Sequence, residues 1–342
     1  MSRLPLLLAL LASPVAAAPP SWIVDDFPRA LSEARTRQQK LVVDVMADWC
    51  EPCHQLSADV LDTDAATPVL QGVVAAKVDF DSQRGQDVVR RYGVLGLPTT
   101  LVLSSSGDEL GRIEGFEKRD EYVEALKALL AGGDDLASTR AAWEKQKTNV
   151  DRTLAYATRL LGRGESARAK ELLAPFLAKD DGDGAKASRL LGRWLLRVQG
   201  DAAAAEAHFR AASQRYAKTA SARGLRYWHA KALAKLGRID EGVAVFTATQ
   251  TPEAASDLAD FLVGEKQSPT RCMTAIVDAL KRTPQTATAD HAWLRYLAAE
   301  TARRNRDYVS AKREIKKAIA LDPKRAIFTH LSERLDREWA KP

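Results

Sequence analysis

Two cysteines three residues apart, Cys50 and Cys53, stand in the segment Trp49-Cys50-Glu51-Pro52-Cys53-His54. That spacing brings two sulfurs within disulfide reach across the first turn of a helix. The first sulfur then meets the unsatisfied amides of the helix N-terminus, which favour a thiolate. Pro52 fits the first turn, where its missing N–H costs nothing. The pattern predicts Cys50 as an exposed nucleophile and Cys53 as the buried thiol that resolves a mixed disulfide. The same spacing serves other chemistry. With His54 it reads as a Cys-x-x-Cys-His haem attachment, which needs His54 as axial ligand and Met46 or Met273 opposite it. A structural zinc site needs four ligands, and no second pair accompanies this one.

Asp44 interrupts the apolar run Leu41-Val42-Val43-Asp44-Val45-Met46 six residues before Cys50. A carboxyl in a strand core has a raised pKa and can hold the proton that Cys53 must lose. On an edge strand it would simply face solvent.

Residues from about 22 to 131 resemble the thioredoxin superfamily. The likeness rests on Asp44-…-Ala47-Asp48-Trp49-Cys50-Glu51-Pro52-Cys53, on Lys77-…-Asp81 and on Gly96-Leu97-Pro98-Thr99-Thr100. It implies a cis Pro98 facing the dithiol, backbone groups of Leu97 and the aromatic Trp49 offered to substrate, a buried Asp44–Lys77 pair, and Gly115 keeping the site open. The motifs are most similar to the C-terminal domain of membrane thiol:disulfide interchange proteins of the DsbD type, which passes electrons outward. The resemblance implies thiol–disulfide exchange with protein clients, a membrane interchange donor, and no metal or cofactor. Glu51 beside Cys50 disfavours the thiolate and points to reduction or isomerisation of disulfides over oxidation.

The elements that position these residues alternate: helix 27–39, strand 41–46, a helix to Leu61, strand 73–80, helix 83–91, strands 98–103 and 109–113, helix 122–130. This predicts an α/β fold with a mixed central sheet between helices. Arg3, the apolar run Leu4–Leu11 and Val15-Ala16-Ala17 read as a signal peptide, residues 1–17, placing the protein in the periplasm. The thioredoxin-like domain then occupies 18–131, and Gly132-Gly133-Asp134-Asp135 opens a linker, 132–147.

From 148 to 342 the pattern is helical and repetitive. Small residues recur at Ala169, Ala205, Gly242, Cys272 and Ala311, in steps of 36, 37, 30 and 39. These bracket the roughly 34-residue tetratricopeptide period, with a small side chain where two helices cross. Cys272 reads as a buried, inert thiol. Stacked hairpins suit a protein partner; joined to this first domain, they resemble a thioredoxin-like co-chaperone or scaffold, the competing reading. Arg159, Arg163, Arg168, Arg193 and Arg197 read as solvated surface, Trp194, Trp228 and Trp293 as packing, and His54 as exposed. A net charge of +6 spread over mixed-sign helices excludes a concentrated nucleic-acid surface.

Overall fold

A computed structural model describes residues 21–340 apart from 65 and 134; the signal-peptide reading falls outside them. The β-branched run at 41–46 forms β2 (Leu41–Met46), central in a sheet of order β1-β3-β2-β4-β5. Its neighbours are β1 (Trp22–Val24), β3 (Val74–Asp79), β4 (Thr99–Leu103) and β5 (Glu109–Glu114). β1, β3 and β2 run parallel, and β4 and β5 return antiparallel. Alternation along β2 sorts its side chains. Leu41, Val43 and Val45 pack under α1 (Phe27–Arg37) and beside Cys50 and Cys53. Val42 packs on the other face with Leu56, Val60 and Leu126. These come from α2 (Glu51–Leu56), its π-helical continuation (Ser57–Leu61) and, beyond α3 (Thr67–Leu70) and α4 (Gln83–Tyr92), α5 (Arg119–Leu130).

Helix α6 (Asp135–Glu144) lies inside the segment read as a linker, with Leu136 and Trp143 packed against the following core. Five hairpins follow: α7 (Val150–Gly162) with α8 (Ser166–Leu177), α9 (Gly182–Arg197) with α10 (Ala202–Arg215), and α11 (Ala222–Lys235) with α12 (Ile239–Thr247). Then come α13 (Pro252–Gly264) with α14 (Pro269–Arg282), α15 (Thr288–Arg304) with α16 (Tyr308–Leu321), and a final α17 (Ala326–Trp339). The five small residues of the sequence pattern are each the fourth residue of the second helix in a hairpin, and all are buried. A side chain at Gly242 would crowd the Phe261 ring at 2.9 Å, which is why that crossing needs a glycine. Between the two helices of every hairpin one residue has positive φ: Gly164, Gly200, Gly237, then Lys266 and Arg306. Glycine adopts this at no steric cost, so the last two hairpins keep the turn without its sequence signature.

The first and last parts of the array both return to the sheet domain. Leu95, in the loop before β4, is buried in one cluster with Tyr156, Leu160 and Trp194. At the far end α17 packs on α2. The chain therefore closes into a ring. Its inner wall is made by the odd-numbered helices from α9 to α17, and it encloses a chamber of about 1120 Å³.

Candidate functional site

Cys50 caps α2 and Cys53 lies in its first turn; the two are joined in a disulfide. The Cys53 amide donates to Cys50 Sγ at 3.2 Å, the contact that helix N-terminal geometry calls for. Cys50 is only 3% exposed, against the expectation of an exposed nucleophile, because it packs into the cluster of the sheet domain that includes Val43, Val45 and Leu97. It lines the chamber, and Cys53 does not, so the outer and inner order of the two sulfurs stands. The Leu97–Pro98 bond is cis, and Leu97 and Trp49 also line the chamber. The Trp49 indole donates to Asp81 at 2.8 Å. Gly115 has a φ of +79° and donates its amide to Pro98 O at 2.8 Å.

Asp44 is 1% exposed in the central strand, so the edge-strand reading falls. Its Oδ1 has no hydrogen-bond partner among the described residues. Burial pushes its pKa up to about 7, opposed by the charge of Lys77 and helped by that of Asp62. Lys77 sits opposite Asp44 in the β2–β3 register. Its ammonium reaches outward to Asp62 at 2.6 Å and to Ser57 Oγ at 3.3 Å. Lys77 thus acts on Asp44 through space, partly neutralised by Asp62. Sequence reading missed that carboxylate because it lies past the end of the helix, with no pattern tying it to β3.

The array supplies contacts that the sequence did not announce. Arg325 forks onto Glu51 at 2.5 and 2.7 Å, neutralising the carboxylate beside Cys50. The argument for reduction from a free Glu51 charge loses its force. Arg334 pairs with Asp48 at 2.5 Å. His54 is not exposed: its Nε2 donates to Asp48 O at 2.8 Å, and its Nδ1 meets His330 Nδ1 at 2.7 Å. Both ring nitrogens that a haem reading would draw on are thereby engaged. Arg193 and Arg197 both donate to Leu95 O and Arg159 pairs with Asp135, so these three are interior contacts instead of solvated surface; Arg163 also pairs with Asp135 but stays exposed. Arg168 pairs with the exposed Glu165 and lies over the Tyr156 ring, 5.5 Å from its centroid. Trp194 is core, and Trp228 and Trp293 pack against the cores of the array and also line the chamber. Cys272 is free and buried, as expected from its place in the repeat. Its pKa is raised, first by burial.

The fold and dithiol define a thioredoxin-like domain followed by helical repeats. Residues 27–130 match the family described as thioredoxin-like domain. The thiol:disulfide interchange protein DsbD of Cronobacter sakazakii is 33% identical over 97 residues, 27% of this chain and 17% of that protein. The chloroplastic thioredoxin-like protein HCF164 of Arabidopsis thaliana is 31% identical over 109 residues, 32% of this chain and 41% of that protein. The chain thus spans less than half the length of either relative. The solved TPR protein YrrB, described with an unusual peptide-binding site, aligns at 17% identity over 58% of this chain and 99% of its own, with a TM-score of 0.32. No helix among the described residues is long and apolar enough to cross a membrane.

Proposed function

We propose that the protein is an extracytoplasmic thiol–disulfide oxidoreductase that reduces or isomerises disulfides of client polypeptides inside its chamber. The Cys50 thiolate attacks a client sulfur; the client S–S bond breaks, one client thiolate leaves, and a mixed disulfide forms. Cys53 passes its proton to the Asp44 carboxylate and attacks Cys50 Sγ. The second client thiolate departs and takes up a proton. The enzyme is left as the Cys50–Cys53 disulfide and needs two electrons from a donor dithiol, in this reading a membrane interchange protein. Leu97, Pro98 and Trp49 hold the client chain, and Lys77 tunes Asp44.

The observation that carries this reading is the buried Asp44 carboxyl, its Oδ1 without a hydrogen-bond partner among the described residues and its pKa raised to about 7, in the central strand beneath the helix that Cys50 caps. A group titrating near neutrality suits proton transfer to and from a thiol. The concave wall of the array faces the dithiol, which favours redox chemistry on a bound client over a redox-independent co-chaperone or scaffold. The test is dithiol-dependent reduction of a peptide disulfide by the purified protein. Cys50→Ser abolishes it if the reading holds. Full cellular function in that variant sinks the reading.

A further inference from the structure

Among the described residues, two largely buried cations in the chamber wall have no carboxylate partner. Arg193 and Arg197, one turn apart on α9, both donate to the same oxygen, Leu95 O, the latter at 2.6 Å. Arg197 also lies against the Phe80 and Trp228 rings, 4.8 and 4.6 Å from their centroids, and Arg193 is 5.1 Å from that of Trp228. Arg193 Nε is buried with no acceptor among the described residues. Glu114 and Asp81 act on the pair from beyond contact. By contrast, Arg325 and Arg334 each hold a carboxylate of the dithiol segment. Burial first, and a neighbouring guanidinium second, pull Arg197 down to about 9 and Arg193 to about 10.

A guanidinium carries five N–H donors, so one shared carbonyl leaves most of this capacity unused. Burying unpaired like charges side by side is costly, and an incoming anion relieves the cost. The site also adjoins the chemistry. Gly96 lies beside the Arg193 guanidinium, 3.4 Å from where its Cβ would stand, and Leu97 and Cys50 line the same chamber. A space of about 1120 Å³ has room for a peptide-sized molecule or one extended segment.

We propose that Arg193 and Arg197 form a carboxylate-binding site through which the chamber selects acidic, peptide-sized disulfides. This rests on the oxidoreductase reading. The source is either a free acidic tripeptide disulfide or an acidic segment of an unfolded client.

The test uses the full-length reduced protein and measures exchange rates with N-acetylated oxidised glutathione, an N-acetylated acidic dodecapeptide disulfide, the uncharged amide analogues of both, and the neutral bis(2-hydroxyethyl) disulfide. Acidic substrates are expected to outpace their uncharged analogues about tenfold, the worth of one charge-assisted contact. That ratio falls toward one in Arg193→Gln and in Arg197→Gln. In the unaltered protein, inorganic sulfate lowers it more than chloride at equal ionic strength, a readout that survives if either variant fails to fold. Whichever acidic substrate is faster identifies the source. Equal rates for charged and uncharged analogues overturn the proposal, as does a sulfate effect no larger than that of chloride. If even the neutral disulfide fails to exchange, the oxidoreductase reading falls and the substrate class with it.

Discussion

Asp44→Asn replaces a buried carboxyl with a neutral group of nearly the same shape. In the folded protein Asp44 titrates at about 7 instead of its ordinary 3.8, chiefly through burial. The sign follows directly: a raised acid pKa means the fold prefers the protonated form. Its contribution is fully present below about pH 4 and is lost as pH rises through about 7. The gap corresponds to about 4 kcal/mol, a large share of the 5–15 kcal/mol typical of a domain. Asparagine has no such dependence, and the other titrations cancel in the difference between the two proteins. Urea unfolding of both oxidised proteins from pH 4 to pH 8 measures it. The variant should gain on the wild type as pH rises, levelling at roughly 4 kcal/mol above pH 7, while its release of a mixed disulfide slows by about a hundredfold. Stability differences that stay constant across this range would refute the claim that Asp44 is the buried titrating group.

Other consequences follow from the ring contacts. Arg325→Ala leaves Glu51 uncompensated and should raise the Cys50 thiol pKa in the reduced protein by about 0.5–1, read from thiolate ultraviolet absorbance; adding Glu51→Gln should restore it. His54 Nε2 must donate to the Asp48 carbonyl, so its Nδ1 accepts from His330, and protonating His54 sets two N–H groups against each other. Burial, and secondarily the His330 charge, lower the His54 pKa. The α17–α2 contact is therefore intact above His54's ordinary value and lost as pH falls through the lowered one. Hydrogen exchange in α17 should accelerate in acid, and His330→Phe should remove that dependence. Gly192→Ala drives a methyl into the Phe209 ring and should cost about 1–3 kcal/mol in a melt, whereas Gly224→Ala meets only a mobile Arg189 side chain and should cost nothing.

What the sequence disclosed was local. A charge inside an apolar strand betrayed Asp44, and the spacing of the small residues marked one position in every hairpin, which the structure shows to be the fourth residue of its second helix. The short β1 has three residues and no visible alternation, and α6 follows a Gly-Gly break, so neither carried a periodic signal. The roof of the site was illegible for a different reason. Glu51–Arg325 and His54–His330 join residues more than 270 apart, and only the curvature of the array brings them together. The arginines of α9 read as surface because nothing in their helix shows that Leu95 arrives to meet them.

The most direct test is trapping with full-length Cys53→Ala, in which a mixed disulfide cannot be resolved. Mass mapping after exposure to extracts of the exported compartment should find client peptides linked to Cys50. Adducts confined to Cys272, or none under conditions where the wild type turns over, would contradict thiol–disulfide exchange at Cys50.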